Sequence, residues 1–189
     1  MVSSVVRGCI VLALVLRSAQ PWHQAGAQST GATSAPPPPA GCVRAEYHQF
    51  DFWIGEWNVT TPDGKPAGHN RIERMLDGCA LQEHWTGAGG GGGTSLNFFD
   101  AATSQWNQLW VDGSGQVLRL AGEARDDGMV LEGKMTRANG STVRERITWT
   151  PAANGRVRQL WENSPDGITW QVVFDGSYER SGATVGTPK

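Results

Sequence analysis

The chain reads as a series of short runs in which apolar and polar residues alternate, each closed by a turn signal. Trp57–Thr61 stops at Pro62-Asp63-Gly64, Asn70–Leu76 at Asp77-Gly78, and Ala80–Thr86 runs into the glycine tract Gly89–Gly93. Thr94–Phe99 ends at Asp100, Trp106–Val111 at Asp112-Gly113, Gln116–Glu123 at Asp126-Asp127-Gly128, and Met129–Arg137 at Asn139-Gly140. Thr142–Thr150 is followed by Pro151 and Asn154-Gly155, Arg156–Trp161 by Pro165-Asp166-Gly167, and Ile168–Phe174 continues weakly through Tyr178. A period of two is that of a half-buried strand, because successive side chains point to opposite faces. Asp-Gly and Asn-Gly match two-residue hairpin turns, in which both positions need positive φ. No long amphipathic helical pattern interrupts the series. The pattern predicts an all-β domain of about ten antiparallel strands. So many hairpins in a row expose two edges unless the sheet closes, so the expected architecture is an up-and-down barrel. A two-sheet sandwich is the alternative, and it usually needs longer crossovers than are visible here. Ahead of the first strand, FDFWIGEWNV (Phe50–Val59) places four aromatic residues in ten positions. It is expected to form a short helical plug that leads into the first strand.

Alternation also sorts the side chains by face. Glu83 goes with Trp85; Trp106, Gln108 and Trp110 go with Asp112; Val143, Glu145 and Ile147 go with Trp149; and Gln159 and Trp161 go with Asn163. In each set a tryptophan shares its face with a carboxylate or an amide, while Thr142, Arg144, Arg146 and Thr148 form a solvated opposite face. If the tryptophan faces point inward, the lumen is aromatic but not dry, and buried polar groups are costly unless paired with each other, with water or with a ligand. The expected site is a ligand cavity walled by Trp85, Trp110, Trp149 and Trp161, with Glu83, Gln108, Glu145 and Gln159 orienting polar ligand atoms. The competing reading is a filled barrel in which Trp and Gln cap one end. Glu83, Asp112 and Glu145 could instead form an inward carboxylate group for acid–base chemistry. No nucleophile elbow and no Ser–His–Asp pattern accompanies them, so no catalytic residue is assigned.

The N-terminus changes the picture of where this barrel works. Arg7 precedes the apolar run Cys9–Leu16, and Ala25-Gly26-Ala27 is an A-x-A cleavage site. Residues 1–27 therefore read as a signal peptide and residues 28–41, with four consecutive prolines, as an extended linker. The barrel is expected over 42–181, followed by a disordered tail at 182–189. Cleavage removes Arg7 and Arg17, leaving 14 basic residues against 18 acidic ones. With no basic stripe, a nucleic-acid partner is not expected, and no other run approaches membrane length. Of the three cysteines Cys9 leaves with the signal peptide, so the even pair Cys42 and Cys79 is expected to form a disulfide in an oxidising compartment. No paired C-x-x-C points to a structural zinc, and no metal site is expected.

Gly55-Glu56-Trp57 resembles the G-x-W signature of calycins, the lipocalin and fatty-acid-binding superfamily, in which an arginine of the last strand often packs over the tryptophan. The resemblance implies that Arg180, in Tyr178-Glu179-Arg180, lies over Trp57 and closes the plugged end. FDFWIGEWNV, GCALQEHW, SLNFFD, WNQLWVDGSG, MVLEGK and RQLWENSPDGITWQVVFDGSYER together resemble a family of exported bacterial proteins of unknown function with a lipocalin-like barrel. That likeness implies fold and export, not an activity. A ten-stranded meander is also similar to nitrobindin, which holds haem through a histidine, so haem is the cofactor to weigh against none. His84 alternates with Glu83 and Trp85 and is expected outside, His69 lies at a strand edge and His48 in the plug. The leading expectation is an exported, monomeric or dimeric barrel binding a small, partly apolar ligand. A cofactor-free isomerase, cyclase or hydrolase-type enzyme using the lumen carboxylates and a non-catalytic cell-envelope interaction module are the alternatives.

Overall fold

A computed structural model of the chain describes residues 42–137 and 139–182. The expected signal peptide, the proline-rich linker and all of the tail beyond Gly182 lie outside the described residues. Two turns of 3-10 helix, Ala45–His48 and Asp51–Trp53, precede ten strands. These are β1 (Gly55–Thr60), β2 (Pro66–Met75), β3 (Ala80–Gly87), β4 (Gly92–Asp100), β5 (Gln105–Asp112), β6 (Val117–Arg125), β7 (Gly128–Thr136), β8 (Thr142–Pro151), β9 (Val157–Ser164) and β10 (Gln171–Arg180). Each strand pairs antiparallel with its sequence neighbours, and β10 closes on β1 through Trp57↔Arg180 to Thr60↔Ser177, giving a closed up-and-down barrel.

The hairpins differ from the turn type that Asp-Gly and Asn-Gly predict. At 61–65, 87–91, 112–116 and 152–156 the first N–H bonds to the fifth carbonyl and the fourth N–H to the first carbonyl. This is a three-residue hairpin loop with a glycine of positive φ at its fourth position, Gly64, Gly90, Gly115 and Gly155. At 112–116 that residue is Gly115 (φ 83°), not Gly113 of the Asp-Gly pair, and Asp112 instead accepts the N–H groups of Ser114 and Gln116 on Oδ1. Asp112 is therefore a turn residue and not part of an inward carboxylate group. The last strand also starts later than its apolar pattern predicts. Asp166 Oδ1 accepts from the backbone of Ile168 and Thr169, which extends the turn and leaves Ile168 83% exposed, so β10 begins at Gln171. Those bonds hold the Asp166 carboxyl far below the usual carboxylate range.

The plugged end is solid. Phe50 stacks on Trp53 at 5.0 Å and meets Trp149 and Trp106 edge-on at 5.0 and 5.6 Å. Phe50, Trp53, Trp57, Trp106 and Trp149 are all buried. Trp57 donates its indole N–H to Trp53 O at 2.9 Å, and Arg180 lies over the Trp57 ring at 4.4 Å while donating to Ile54 O at 3.1 Å. A Cys42–Cys79 disulfide ties the segment before the plug to the β2–β3 turn at this end. No helix among the described residues is long and apolar enough to cross a membrane.

Candidate functional site

Above the plug three strands repeat one inward pattern: an apolar residue, then an acid or amide, then a tryptophan. They are Leu81-Glu83-Trp85 on β3, Trp106-Gln108-Trp110 on β5 and Val157-Gln159-Trp161 on β9, each read at every second position. The middle members belong to a hydrogen-bonded belt. Asn70 on β2 donates Nδ2 to Glu83 Oε1 at 2.7 Å and to the Tyr178 hydroxyl on β10 at 3.3 Å. Ser95 on β4 donates to Glu83 Oε2 at 2.6 Å, Asn97 donates to Ser95 Oγ at 2.8 Å, and Gln108 donates Nε2 to Asn97 Oδ1 at 2.9 Å. At the other end the Tyr178 hydroxyl donates to Gln159 Oε1. All seven side chains are buried. Burial pushes the Glu83 carboxyl above its ordinary range against the opposing pull of the Ser95 and Asn70 hydrogen bonds, and it pushes the Tyr178 phenol well above 10.

A cavity of about 220 Å³ lies on this belt. Its polar lining is Glu83, Gln108, Gln159 and Tyr178; its apolar walls include Trp85, Trp110, Trp161 and Phe174. The three tryptophans are each only half-buried, unlike those of the plug. Two glycines make room for them. A Cβ at Gly93, opposite Trp85 on the paired strand, would run into the Trp110 ring, and one at Gly68 would run into the Trp85 ring. The end of the glycine tract is thus a seat for an indole within β4 as well as a loop at the barrel mouth.

Six of the eight residues expected at the site line this cavity: Glu83, Trp85, Gln108, Trp110, Gln159 and Trp161. Trp149 does not. It faces inward but is fully buried against Phe50 and Trp53, because the plug ends at its height. Glu145 is also displaced. Its Oε2 accepts the Trp161 indole N–H at 2.7 Å, and its buried Oε1 has no partner among the described residues. Burial raises its carboxyl above the ordinary value, against the Trp161 hydrogen bond and the charge of Arg137. Glu145 borders a second groove where two strands part. The β6–β7 ladder runs from Arg125↔Gly128 to Leu120↔Gly133, whereas β6 stays with β5 as far as Val111↔Val117 and β7 with β8 as far as Thr136↔Thr142. Val117, Arg119, Lys134 and Thr136 flank that gap, with Glu145 and Trp161 also lining it.

Sequence reasoning missed Asn70, Ser95, Asn97, Phe174 and Tyr178. The belt residues on β4 show why: Ser95 and Asn97 face in while Leu96 faces out, 36% exposed, so the strand is inverted relative to the usual apolar-in pattern. The three histidines among the described residues lie away from the cavity. His84 is on the outer face 3.7 Å from Glu73, His69 is exposed, and His48 bonds Asp51 beside the plug at 2.9 Å. No group of three or more His, Cys, Asp or Glu side chains among the described residues could hold a metal ion. Compared with models of known protein families the chain finds no match, and a comparison with curated proteins finds none either.

Proposed function

We propose that this protein is an exported barrel of the calycin kind that holds a small, partly apolar ligand in the open half of its lumen. One observation carries the reading: three half-buried tryptophans stand around a 220 Å³ cavity whose floor is a continuous belt of hydrogen-bonded polar side chains. A core selected for stability alone would fill that volume and exclude those groups, because each void and each buried polar atom is destabilising. A cavity of roughly 150 Å³ already accepts benzene, so a one- or two-ring ligand matches this size. Indole faces supply contact area with little entropy to lose, and the amides supply orientation. The parted β6–β7 edge offers a lateral route beside the barrel mouth. Export rests on the N-terminal segment and is supported by the Cys42–Cys79 disulfide.

The test has two parts. Native mass spectrometry of the protein purified from its own export compartment should reveal a defined additional mass. Titration with naphthalene should quench or shift tryptophan fluorescence in the wild type, with a weaker effect in Trp110→Ala. A bare chain mass together with unchanged fluorescence rejects the reading.

A second reading, a cofactor-free enzyme, is favoured by Glu145: a buried carboxyl with raised pKa and one free oxygen is a candidate acid or base. It predicts that Glu145→Gln abolishes turnover of a ligand found by mass spectrometry while leaving the protein folded.

A further inference from the structure

The direction of the hydrogen bonds in the belt follows from its acceptors, Glu83 at the centre and the Leu81 carbonyl beside Asn97. Glu83 accepts at both carboxyl oxygens, from Asn70 and from Ser95, and donates to nothing. With its only proton given to Glu83, Ser95 can meet Asn97 only as an acceptor, so Asn97 must turn its NH₂ toward Ser95 and its carbonyl toward Gln108. Gln108 must then offer NH₂ to Asn97, which leaves its carbonyl Oε1 as the unused end. On the other arm Asn70 turns its NH₂ to both Glu83 and Tyr178, which accounts for its own buried Oδ1 having no partner. The Tyr178 hydroxyl, accepting from Asn70, gives its proton to Gln159 Oε1 and leaves the Gln159 NH₂ unused. Both glutamines line the cavity, and neither unused atom is among the sealed polar atoms that lack a partner. An ionised Glu83 has no proton to give, and together with the Leu81 carbonyl, which accepts from Asn97 Nδ2 at 3.4 Å, it fixes the direction of these amides.

The cavity therefore shows an acceptor, Gln108 Oε1, on β5 and a donor, Gln159 Nε2, on β9. These strands are four places apart in a ring of ten, so the two groups stand on different sides of the lumen. No lysine, arginine or histidine is among the lining residues, and the charged group that is present, Glu83, is acidic. We propose, building on the ligand-binding reading above, that the cavity selects a small, flat, uncharged ring compound with a hydrogen-bond donor on one edge and an acceptor on the opposite edge, and that it rejects carboxylates. The aromatic body lies among Trp85, Trp110 and Trp161, its donor meets Gln108, and its acceptor meets Gln159. An analogue lacking the donor leaves Gln108 Oε1 desolvated and unpaired, which is how a buried polar site discriminates.

Four probes of one shape test this by isothermal titration calorimetry: 4-quinolone, with N–H and C=O across one ring; 1-methyl-4-quinolone, without the donor; naphthalene, without either; and 2-naphthoate, with a charge. The 4-quinolone should bind at least tenfold tighter than the methylated compound and than naphthalene, with 2-naphthoate weakest. Equal binding of the two quinolones, or tightest binding by 2-naphthoate, overturns the proposal while the ligand-binding reading stands. Absence of heat with all four probes, together with a bare native mass, overturns both. Glu83→Gln brings an NH₂ to the centre of the belt and leaves only the Leu81 carbonyl to hold the direction of Asn97, so the preference for 4-quinolone over its methyl derivative should fall. Ser95→Ala, a smaller change that cuts the same arm, should do likewise should Glu83→Gln fail to fold. An undiminished preference in a folded variant overturns the proposed reading mechanism.

Discussion

Trp149 and Trp161 sit on adjacent strands of one barrel and both face inward, yet their surroundings are opposite. Trp149 is sealed among Phe50, Trp53 and the lower strands, and its indole N–H has no hydrogen-bond partner among the described residues. Trp161 is only half-buried, lines the cavity, and donates its N–H to Glu145. The same division holds across the molecule. Below the belt, aromatic packing is dense enough to tolerate unpaired N–H groups on Trp53 and Trp149. Above it, polar groups are bonded in a chain and space is left open. Dispersion and burial dominate below, and directional bonding dominates above. Stability then rests in the plugged half, and the proposed recognition in the open half.

Truncation should separate the halves most sharply. Trp149→Ala removes a fully buried indole from a packed cluster and should destabilise the oxidised protein by about 3–5 kcal/mol. Trp110→Ala, which widens an existing cavity, should cost about 1 kcal/mol. Urea denaturation of both variants measures the difference, and comparable losses would remove the distinction. The disulfide belongs to the same half. Cys42→Ser with Cys79→Ser should lower stability by roughly 2–4 kcal/mol by freeing the chain between them in the unfolded state, and should leave naphthalene affinity within about twofold. A loss of probe binding in the folded double variant would show that the two halves are coupled.

That division was only partly legible in the residues. Period-two alternation was enough for strand number and for the shared face of Glu83 with Trp85, Gln108 with Trp110 and Gln159 with Trp161, because a strand has only two faces; closure followed from the edges that so many hairpins would otherwise expose. Height along the barrel axis is a different quantity. Trp149 and Trp161 look alike by alternation, and what separates them is where the plug ends, a tertiary fact. The polar partners were hidden for another reason. Ser95 and Asn97 occupy inward positions on a strand whose outward residues include Leu96, so the rule that apolar residues face in points the wrong way there. Asn70 and Tyr178 join the belt across strands 108 residues apart in the chain. The pair Trp57 and Arg180 was legible through its resemblance to the calycin signature, and the pairing of Cys42 with Cys79 through their even number.

The Trp161–Glu145 bond sharpens the contrast with Trp149, whose indole N–H has no partner among the described residues. Trp161→Phe keeps the ring but leaves both Glu145 oxygens without a partner, at a cost of roughly 1–3 kcal/mol at neutral pH. The sign with pH is set by the raised folded pKa of Glu145. A carboxyl that holds its proton more tightly when folded contributes most below the unfolded value of 4.5, and stability falls as pH rises from there through the raised folded pKa. The indole N–H supports the ionised form, so its loss should steepen that fall. The gap between wild type and Trp161→Phe should be small near pH 4 and full above the window, measured by denaturation across pH. A gap independent of pH would mean that the ring, not the hydrogen bond, is what Trp161 contributes.

The smallest effect expected is at the barrel's closing seam. Arg180 pairs with Trp57 across β1 and β10, stacks on its ring and bonds Ile54 O, so it fastens the last strand to the first just below the plug turn. Arg180 is solvent-exposed, and a cation–π contact at an exposed site is worth about 0.5–1 kcal/mol. Arg180→Met keeps much of the apolar stem that covers the ring and removes the charge and the bond to Ile54. Arg180→Lys keeps a charge but not the planar group that stacks. If cation–π stacking is what holds the seam, both variants should lose stability by a similar amount, with Lys no better than Met, and amide exchange should quicken first in Trp57–Thr60. If Lys restores the wild-type value, charge alone is sufficient. If neither variant shows a loss, the buried Trp57 and its bond to Trp53 O hold the plugged end without help from the last strand, and the two halves are more independent than their shared barrel implies.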